Sequence, residues 1–391
     1  MGTSCTLTLE AQKAISESNL IIGSERMVSQ YALKNADKFI SYKPDEVTGF
    51  LNEHSGYKNV SILFSGDIGF YSGAEKMLEA LKEYDVSVIS GVSSLAYFCG
   101  KCGIPWDNVD FTSIHGQKKS LIQHIRYNLY VFSLLSGGHD IAELCSKLCY
   151  YGMGNAILHI GENLSYPDER ITAAKARDID PHGFGSLCVI LAENKNFVKD
   201  ELYGIDDSEF IRGSVPMTKS AVRAACIDKL KLKPDSVLYD VGAGTGSVSI
   251  EAALKSPEIQ VYAIEKNHIA ARLIKLNRRK IVADNVQIAE GSAPEIFRSL
   301  PAPTHVFIGG SGGKLEDIIS AVWSKSPNAR IVLNAVSVET VAEVSSLAKK
   351  HHLNADISQI TAAHTHEAGG YHLMRGQDPV FIISLEKGEK A

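Results

Sequence analysis

Two α/β domains are predicted for this chain, the second a doubly wound parallel sheet of the Rossmann-like kind. Three observations carry the prediction. At 391 residues the chain exceeds what one hydrophobic core usually serves. Short apolar runs alternate with helix-like patterns along most of its length, the order expected of βα units. One such run, Val237-Leu-Tyr-Asp240-Val, breaks into Gly242, Gly244 and Gly246 before a helix-compatible segment. That is a strand, a tight turn and a helix start, where glycines let the backbone approach a ligand closely.

In the first half, residues 60–64, 86–89, 129–132 and 156–160 read as strands, because each is a short apolar or β-branched run bounded by turn residues. Residues 73–82 and 140–149 carry the spacing of amphipathic helices. A last strand at 186–191 leads into the charged stretch 193–201, where few apolar residues occur. The linker is therefore expected near residues 196–206, with domains at 1–200 and 206–391.

The second half starts with an acidic stretch at 206–210 and a loop to Met217. A helix over 219–230 precedes the glycine turn. Strands follow near Val237, Val261, Val286, His305, Arg330 and Ala355, with helices between, and a final strand covers 380–384. Such regular βα alternation implies a parallel, doubly wound sheet. No short internal repeat or low-complexity tract interrupts it.

The glycine spacing narrows the ligand. A dinucleotide fingerprint needs Gly-x-Gly-x-x-Gly, and its third position would fall on Ser247. Here the glycines run Gly-x-Gly-x-Gly with Asp240 two residues upstream. A second apolar strand, 260–264, ends at Glu265, whose carboxylate is suited to accept both hydroxyls of a ribose. A glycine turn in an unrelated α/β protein is the competing explanation, and Glu265 argues against it.

Hydrophobic content of 45% with 22% charged residues is ordinary for a globular protein, and a net charge of −5 argues against a nucleic-acid partner. The basic cluster Arg272, Lys275, Arg278, Arg279 and Lys280 falls at helical spacing and reads as a solvated face. No apolar run approaches the roughly 18 residues that span a bilayer, and no basic-then-apolar leader opens the chain, so a cytoplasmic protein without membrane contact is expected. Seven scattered cysteines do not form a disulfide framework. Cys99-Gly-Lys-Cys102 lacks a second pair, and His364, His366 and His372 lie in a Gly-rich, loop-like stretch without a carboxylate or cysteine at defined spacing. No metal site is expected.

With these residues in view, the second half resembles the class I S-adenosylmethionine-dependent methyltransferases, specifically the decarboxylating branch of cobalamin biosynthesis. The resemblance rests on Pro216-Met-Thr218-Lys-Ser-Ala-Val-Arg223, Asp240-Val-Gly-Ala-Gly-Thr-Gly246, Gly291-Ser-Ala293-Pro-Glu295 and Val306-Phe-Ile-Gly-Gly-Ser-Gly-Gly313. It implies that Thr218, Asp240, Gly242, Ala243, Gly244, Thr245, Gly246, Glu265 and Ala293 hold S-adenosyl-L-methionine. A phosphate-free sulfonium ligand also accounts for acids beside the loop. The first half resembles the tetrapyrrole methylase family, in its precorrin C-5 methylating branch. Ser65-Gly-Asp67-Ile-Gly69-Phe-Tyr-Ser72, Gly91-Val-Ser93-Ser94, Trp106-Asp107, His115-Gly116 and the stretch from Gly161 to Arg170 carry that likeness, which implies cofactor contacts from Asp67, Gly69, Ser93 and Ser94. Ile68 and Ser90 stand where proline is usual. The two domains in this order resemble the fused, decarboxylating C5,15-methyltransferases of precorrins. That implies methylation of a corrinoid tetrapyrrole at C-15 and C-5 with loss of the ring-C acetate carboxylate, by a homo-oligomeric enzyme.

The methylase family opens with a strand and a glycine-rich loop, and Met1-Gly2 stands where that loop should end. Either Met1 is an internal methionine of a Gly-Met-Gly loop, or the first domain lacks that strand and loop; on the second reading a sheet gap and weaker C-5 than C-15 activity are expected. A smaller departure is Gln377-Asp378-Pro379, where the family often has Asn-Pro. For the C-15 and decarboxylation chemistry the candidates are Asn334 and Glu339, which follow a strand end, and Arg223 or Lys219 for a peripheral carboxylate. The competing assignments are that Glu339 caps a helix and Arg223 lies on an exposed face. A class I methyltransferase acting on RNA or protein, with a non-catalytic first domain, is the second functional reading. The acidic charge and the lack of an Asn-Pro-Pro-Tyr-like motif count against it.

Overall fold

The structure is a computed structural model that describes residues 3–31, 36–113, 120–199 and 204–387. It divides into two compact units, Met1–Gln117 with Asn128–Phe197, and Lys118–Tyr127 with Val198–Ala391.

The first unit begins with α1 (Leu9–Ser16), whose start is fixed by Thr8: its hydroxyl accepts the Ala11 amide at 3.2 Å. Then come β1 (Leu20–Gly23), α2 (Glu25–Gln30), β2 (Asp37–Ile40), α3 (Pro44–Glu53), β3 (Val60–Leu63), α4 (Ala74–Ala80), α5 (Ser94–Cys102) and β4 (Val109–Ser113). After α6 (Leu121–Tyr127) the chain continues through β5 (Tyr130–Leu135), α7 (Gly138–Tyr150), β6 (Ile157–Glu162), β7 (Arg170–Lys175) and β8 (Cys188–Glu193). Two sheets result. One is parallel with order β2-β1-β3, and the other is mixed with order β4-β5-β8-β6-β7. β1 is buried at every position, as an all-apolar central strand should be.

One expected strand is absent. Residues 86–89 have the alternation of a strand, yet no backbone hydrogen bond among the described residues reaches 85–90. Val86 and Val88 are 41% and 50% exposed. A strand exists only by pairing, and this segment has no partner ladder. The outer edge of β3 is likewise open among the described residues, where β3 pairs with β1 alone. A cavity of about 810 Å³ lies there, lined by Ser61, Leu63, Val86 and Val88 among others.

The second unit contains α8 (Ser220–Leu230), β9 (Val237–Val241), α9 (Ser247–Ala253), β10 (Gln260–Glu265), α10 (His268–Ile281), β11 (Val286–Glu290), β12 (His305–Ile308), α11 (Leu315–Lys325), β13 (Arg330–Ala335), α12 (Val338–Lys350) and β14 (Leu353–Ile360). It ends with β15 (Ala363–Ala368), β16 (Tyr371–Gly376) and β17 (Val380–Lys387). Seven strands form one sheet in the order β11-β10-β9-β12-β13-β17-β14. The first five are parallel, and β17 runs antiparallel to both neighbours. A uniformly parallel sheet was the expectation; β14 is joined to β17 by a hairpin instead of a helix, so no crossover turns the chain round. That hairpin, β15 with β16, also replaces the expected loop around His364, His366 and His372. His372 Nε2 lies 3.5 Å from Glu367 Oε1, with both side chains exposed.

Apolar side chains on each face of this sheet pack against helices in two clusters, one around Leu238, Val261 and Ile274 and the other around Tyr239, Val306 and Ile331. α6 contributes to the same unit. Ser120, Gln123 and Arg126 bond to Asp284 and to the carbonyls of Val282 and Ile281, covering the carbonyl end of α10. No helix among the described residues is long and apolar enough to cross a membrane. The cysteines are all free, and burial pushes the Cys99 thiol of the CxxC pair up to about 11. His115 and Gly116, Met1 and Gly2, and residues 200–203 of the expected linker lie outside the described residues.

The open edge has a measurable consequence. In hydrogen exchange followed by mass spectrometry, peptides covering 60–63 should take up deuterium well before those covering 237–241, because central strands open only with the global transition. Equal protection of the two segments would mean that the β3 edge is covered in solution.

Candidate functional site

Strand order reverses between β9 and β12, and in such sheets the crevice at the carboxyl ends beside that point receives ligands. The loops after β9 and β12 meet there. Gly242 has φ +73°, and a Cβ on it would lie 2.8 Å from the Gly310 carbonyl oxygen. Gly244 has φ +56°, with Pro216 O 3.1 Å from where its Cβ would be. Both positions need glycine for conformation and for space.

Asp240 is 1% exposed, and its Oδ2 accepts from Ser249 N at 3.0 Å and Ser249 Oγ at 2.5 Å, so it caps the first turn of α9. Burial pushes its carboxyl up to about 6; the Ser249 bonds oppose the shift and the Glu265 charge adds to it. Glu265, at the end of β10, is 9% exposed and accepts from Gly244 N and Asn267 N, both at 2.9 Å. Asp240 Oδ1 and Thr245 Oγ1 are buried without a hydrogen-bond partner among the described residues.

These groups line a cavity of about 1110 Å³ together with Thr218, Ala243, Ala293 and Asn334. Gly246 does not line it. Its φ of +78° starts α9, and a Cβ there would lie 2.9 Å from Ile274 Cγ2, so this glycine serves helix packing instead of a ligand.

Two expectations are corrected. Arg223 is wholly buried and cannot meet a peripheral carboxylate, nor does it lie on an exposed face. Its Nε donates to Glu251 at 2.5 Å, and its other nitrogens donate to Asp207 at 3.0 Å, Thr218 O at 2.8 Å and Ile205 O. The guanidinium also sits 4.9 Å from the centre of the Phe210 ring. It ties the segment before α8 to α9, beneath the Thr218 turn. Glu339 is exposed in the first turn of α12 and is not part of the cavity wall; a carboxylate there complements the helix N-terminus. Lys219 does line the cavity, with its ammonium 3.8 Å from Asp207.

Asn277 escapes sequence reading. It is fully buried on α10, where Ala270, Ile274 and Ile281 continue the same buried stripe. Its amide donates to Thr245 O at 2.9 Å and Ile211 O at 2.8 Å, and its carbonyl accepts Ile211 N at 2.7 Å. The glycine turn is thereby pinned from behind. The signal was an amide in an apolar stripe, which costs stability unless it is fully bonded.

In the first unit, Asp67 Oδ1 accepts Gly69 N at 2.8 Å and Oδ2 accepts Gly91 N at 3.2 Å, which joins the two predicted loops. Ser93 caps α5 through Ala96 N at 3.1 Å, and Ser94 opens that helix. None of Asp67, Gly69, Ser93 and Ser94 lines the 810 Å³ cavity.

A family model described as "Precorrin methyltransferase domain" matches residues 210–387, and one described as "Tetrapyrrole (Corrin/Porphyrin) Methylases" matches residues 1–180. A Salmonella typhimurium protein named cobalt-precorrin-6B C(15)-methyltransferase (decarboxylating) is 42% identical over 197 residues, which is 49% of this chain and 97% of that protein. A Pyrobaculum calidifontis protein named as a probable enzyme of the same kind is 39% identical, over 46% of this chain and 94% of its own. A Sinorhizobium sp. protein named precorrin-6Y C(5,15)-methyltransferase [decarboxylating] is 25% identical over 390 residues, covering 97% of this chain and 92% of its own.

Arg223→Ala leaves Glu251 buried and unpaired and should cost the second unit about 3–5 kcal/mol, with Arg223→Met costing less. Urea unfolding in a Trp106→Phe background, so that buried Trp323 alone reports, measures it; a loss below about 1 kcal/mol would contradict the buried network. The same reporter tests Asp240. Between 3.8 and about 6 the folded chain keeps a proton that the unfolded chain releases, so this group's stabilisation is full below 3.8 and lost as pH rises through about 6. Asp240→Asn should therefore gain on the native chain by up to about 3 kcal/mol across that window, then level off. A difference independent of pH would sink the assignment.

Proposed function

The chain belongs to the precorrin methyltransferase family, with a tetrapyrrole methylase domain ahead of it, and from that premise we propose that it methylates a precorrin-6B-type corrinoid, with or without cobalt, at C-15 and C-5. The second unit is assigned the C-15 transfer and the loss of CO2 from the ring-C acetate, the first unit the C-5 transfer. The observation that carries the reading is a glycine cradle flanked by two buried acids, facing a cavity in which Asp240 Oδ1 and Thr245 Oγ1 lack partners.

The residues fit S-adenosylmethionine. Neither Gly242 nor Gly244 has room for a side chain, so the bare backbone faces the ligand. Glu265 spends one lone pair of each oxygen on backbone amides, and the remaining pairs suit the two hydroxyls of a ribose. Asp240 and Glu265 together complement a cationic sulfonium where phosphate would be repelled. When bound, the cofactor supplies an electrophilic methyl group.

The protein's own part is alignment and exclusion of water. Holding a nucleophilic ring carbon in line can supply roughly 7–11 kcal/mol of barrier lowering without a strong base. The Thr218 turn, tied to Arg223 through its carbonyl, and residues 309–312 both line the cavity. Asn334, half-buried at the end of β13, is placed to hold a ring nitrogen or the acetate carboxylate. In the decarboxylation, the bond from the acetate methylene to its carboxylate breaks and the electron pair enters the conjugated macrocycle. A proton then returns to the methylene carbon, leaving a methyl group and CO2. Val215 and Met217, both half-buried, bring apolar surface to that part of the cavity, where the charged form of the carboxylate is disfavoured.

Glu265→Ala should weaken S-adenosylmethionine binding by about 1.5–3 kcal/mol in calorimetry, with the far-UV circular dichroism unchanged. Supplied with a precorrin-6B-type substrate, the full chain should yield a product that has lost CO2 and gained methyl groups, resolved by mass. No saturable heat with the cofactor, or a product without CO2 loss, would refute the proposal.

A further inference from the structure

The large cavity of the second unit is lopsided in charge. Asp240 and Glu265 are buried beside the glycine turn and bonded to backbone amides. Three other elements bring cations to the lining of the same cavity. Lys219 stands at the start of α8, Lys314 at the start of α11, and Arg375 lies in β16 of the projecting hairpin. A fourth, Lys266, rests its ammonium against Gly312. Outside the two buried acids, Asp378 is the one carboxylate of the lining. This concentration occurs on a chain whose net charge is −5.

The three cations differ in how they are held. Lys314 reaches Glu295 at 2.7 Å and Lys219 reaches Asp207 at 3.8 Å, both in partly exposed pairs of the weak kind that exchange readily for another carboxylate. Arg375 is exposed and makes no ion pair among the described residues. A guanidinium offers the planar fork that matches a carboxylate with two parallel bonds. The cavity, at about 1110 Å³, lies at the top of the range for a single small ligand, which leaves room for a second, larger molecule among these cations.

We propose that Arg375, Lys314 and Lys219 form a polycarboxylate-binding rim that selects the substrate by its number of peripheral carboxylates, with Arg375 as the leading contact. This rests on the corrinoid reading above and adds the groups that decide which tetrapyrroles enter. A macrocycle bearing many acid arms meets all three cations from different elements at once, whereas one bearing two arms meets fewer. The acetate that loses CO2 is the exception, since pairing it with a cation would stabilise the carboxylate that must break.

Two porphyrins serve as probes of the full chain, followed by their own fluorescence: uroporphyrin, with eight carboxylates, and mesoporphyrin, with two. At low salt the native chain should bind uroporphyrin at least about tenfold more tightly. The preference should collapse at about 1 M salt, where charges are screened within about 3 Å. In the Arg375→Gln, Lys314→Gln double variant the uroporphyrin affinity should fall about tenfold and the mesoporphyrin affinity by clearly less, so that the preference shrinks, while S-adenosylmethionine binds as before. Equal affinities for the two porphyrins, or a preference untouched by the double variant, overturns the rim. So does displacement of uroporphyrin by equimolar pyrophosphate, which would make it a general anion surface. If S-adenosylmethionine fails to bind the native chain while the charge preference and its loss persist, the cofactor reading fails and the rim stands.

Discussion

The second unit is organised around one backbone turn whose three glycines have no room for a side chain. Each of its three glycines excludes a Cβ for a different neighbour: Gly310 at the first, Pro216 at the second and Ile274 at the third. The β12 loop, the segment before α8 and the face of α10 are therefore all positioned against the same five residues. Left-handed backbone at all three points makes the turn sharp enough to end a central strand and begin α9 at once. With that turn displaced, Asp240 would no longer reach the amide of Ser249, nor Glu265 that of Gly244.

Behind the turn sit two buried polar supports with different energetics. Asn277 is neutral and saturates its bonds with backbone groups, which costs little once made. Arg223 is charged and carries a heavier desolvation burden, offset by Glu251, Asp207 and two carbonyls. Such a centre adds little to stability over an apolar replacement but admits only one arrangement of the segments it joins. Here those segments are the Thr218 turn and α9, which border the same cavity.

Legibility from sequence followed how local each signal was. β9, its glycine turn and Glu265 were readable because strand period, acid and glycines occur within a few residues or one βα unit. Arg223 misled because a charged residue on a helix defaults to the outside, and only the distant Glu251 and Asp207 reveal otherwise. Residues 86–89 have strand-like alternation, but pairing is a property of neighbours that the pattern does not contain. β15 and β16 went unread for the opposite reason: a histidine- and glycine-rich stretch has no apolar face to mark its period, and both strands are exposed throughout. Arg375 was hidden with them.

The uncovered edge of β3 bears on the behaviour of the protein in bulk. The strand-forming groups of β3 that face away from β1, next to exposed Val86 and Val88, are a template on which another chain can lay a strand. Pairing of that kind is second order in protein, so it is negligible in dilute solution and grows steeply as the sample is concentrated. The first unit would then set the solubility ceiling of the whole polypeptide, although the second carries the more completely built site. A single charged residue on β3 would raise that ceiling at the cost of altering the lining of the 810 Å³ cavity, much as edge lysines keep other open sheets apart.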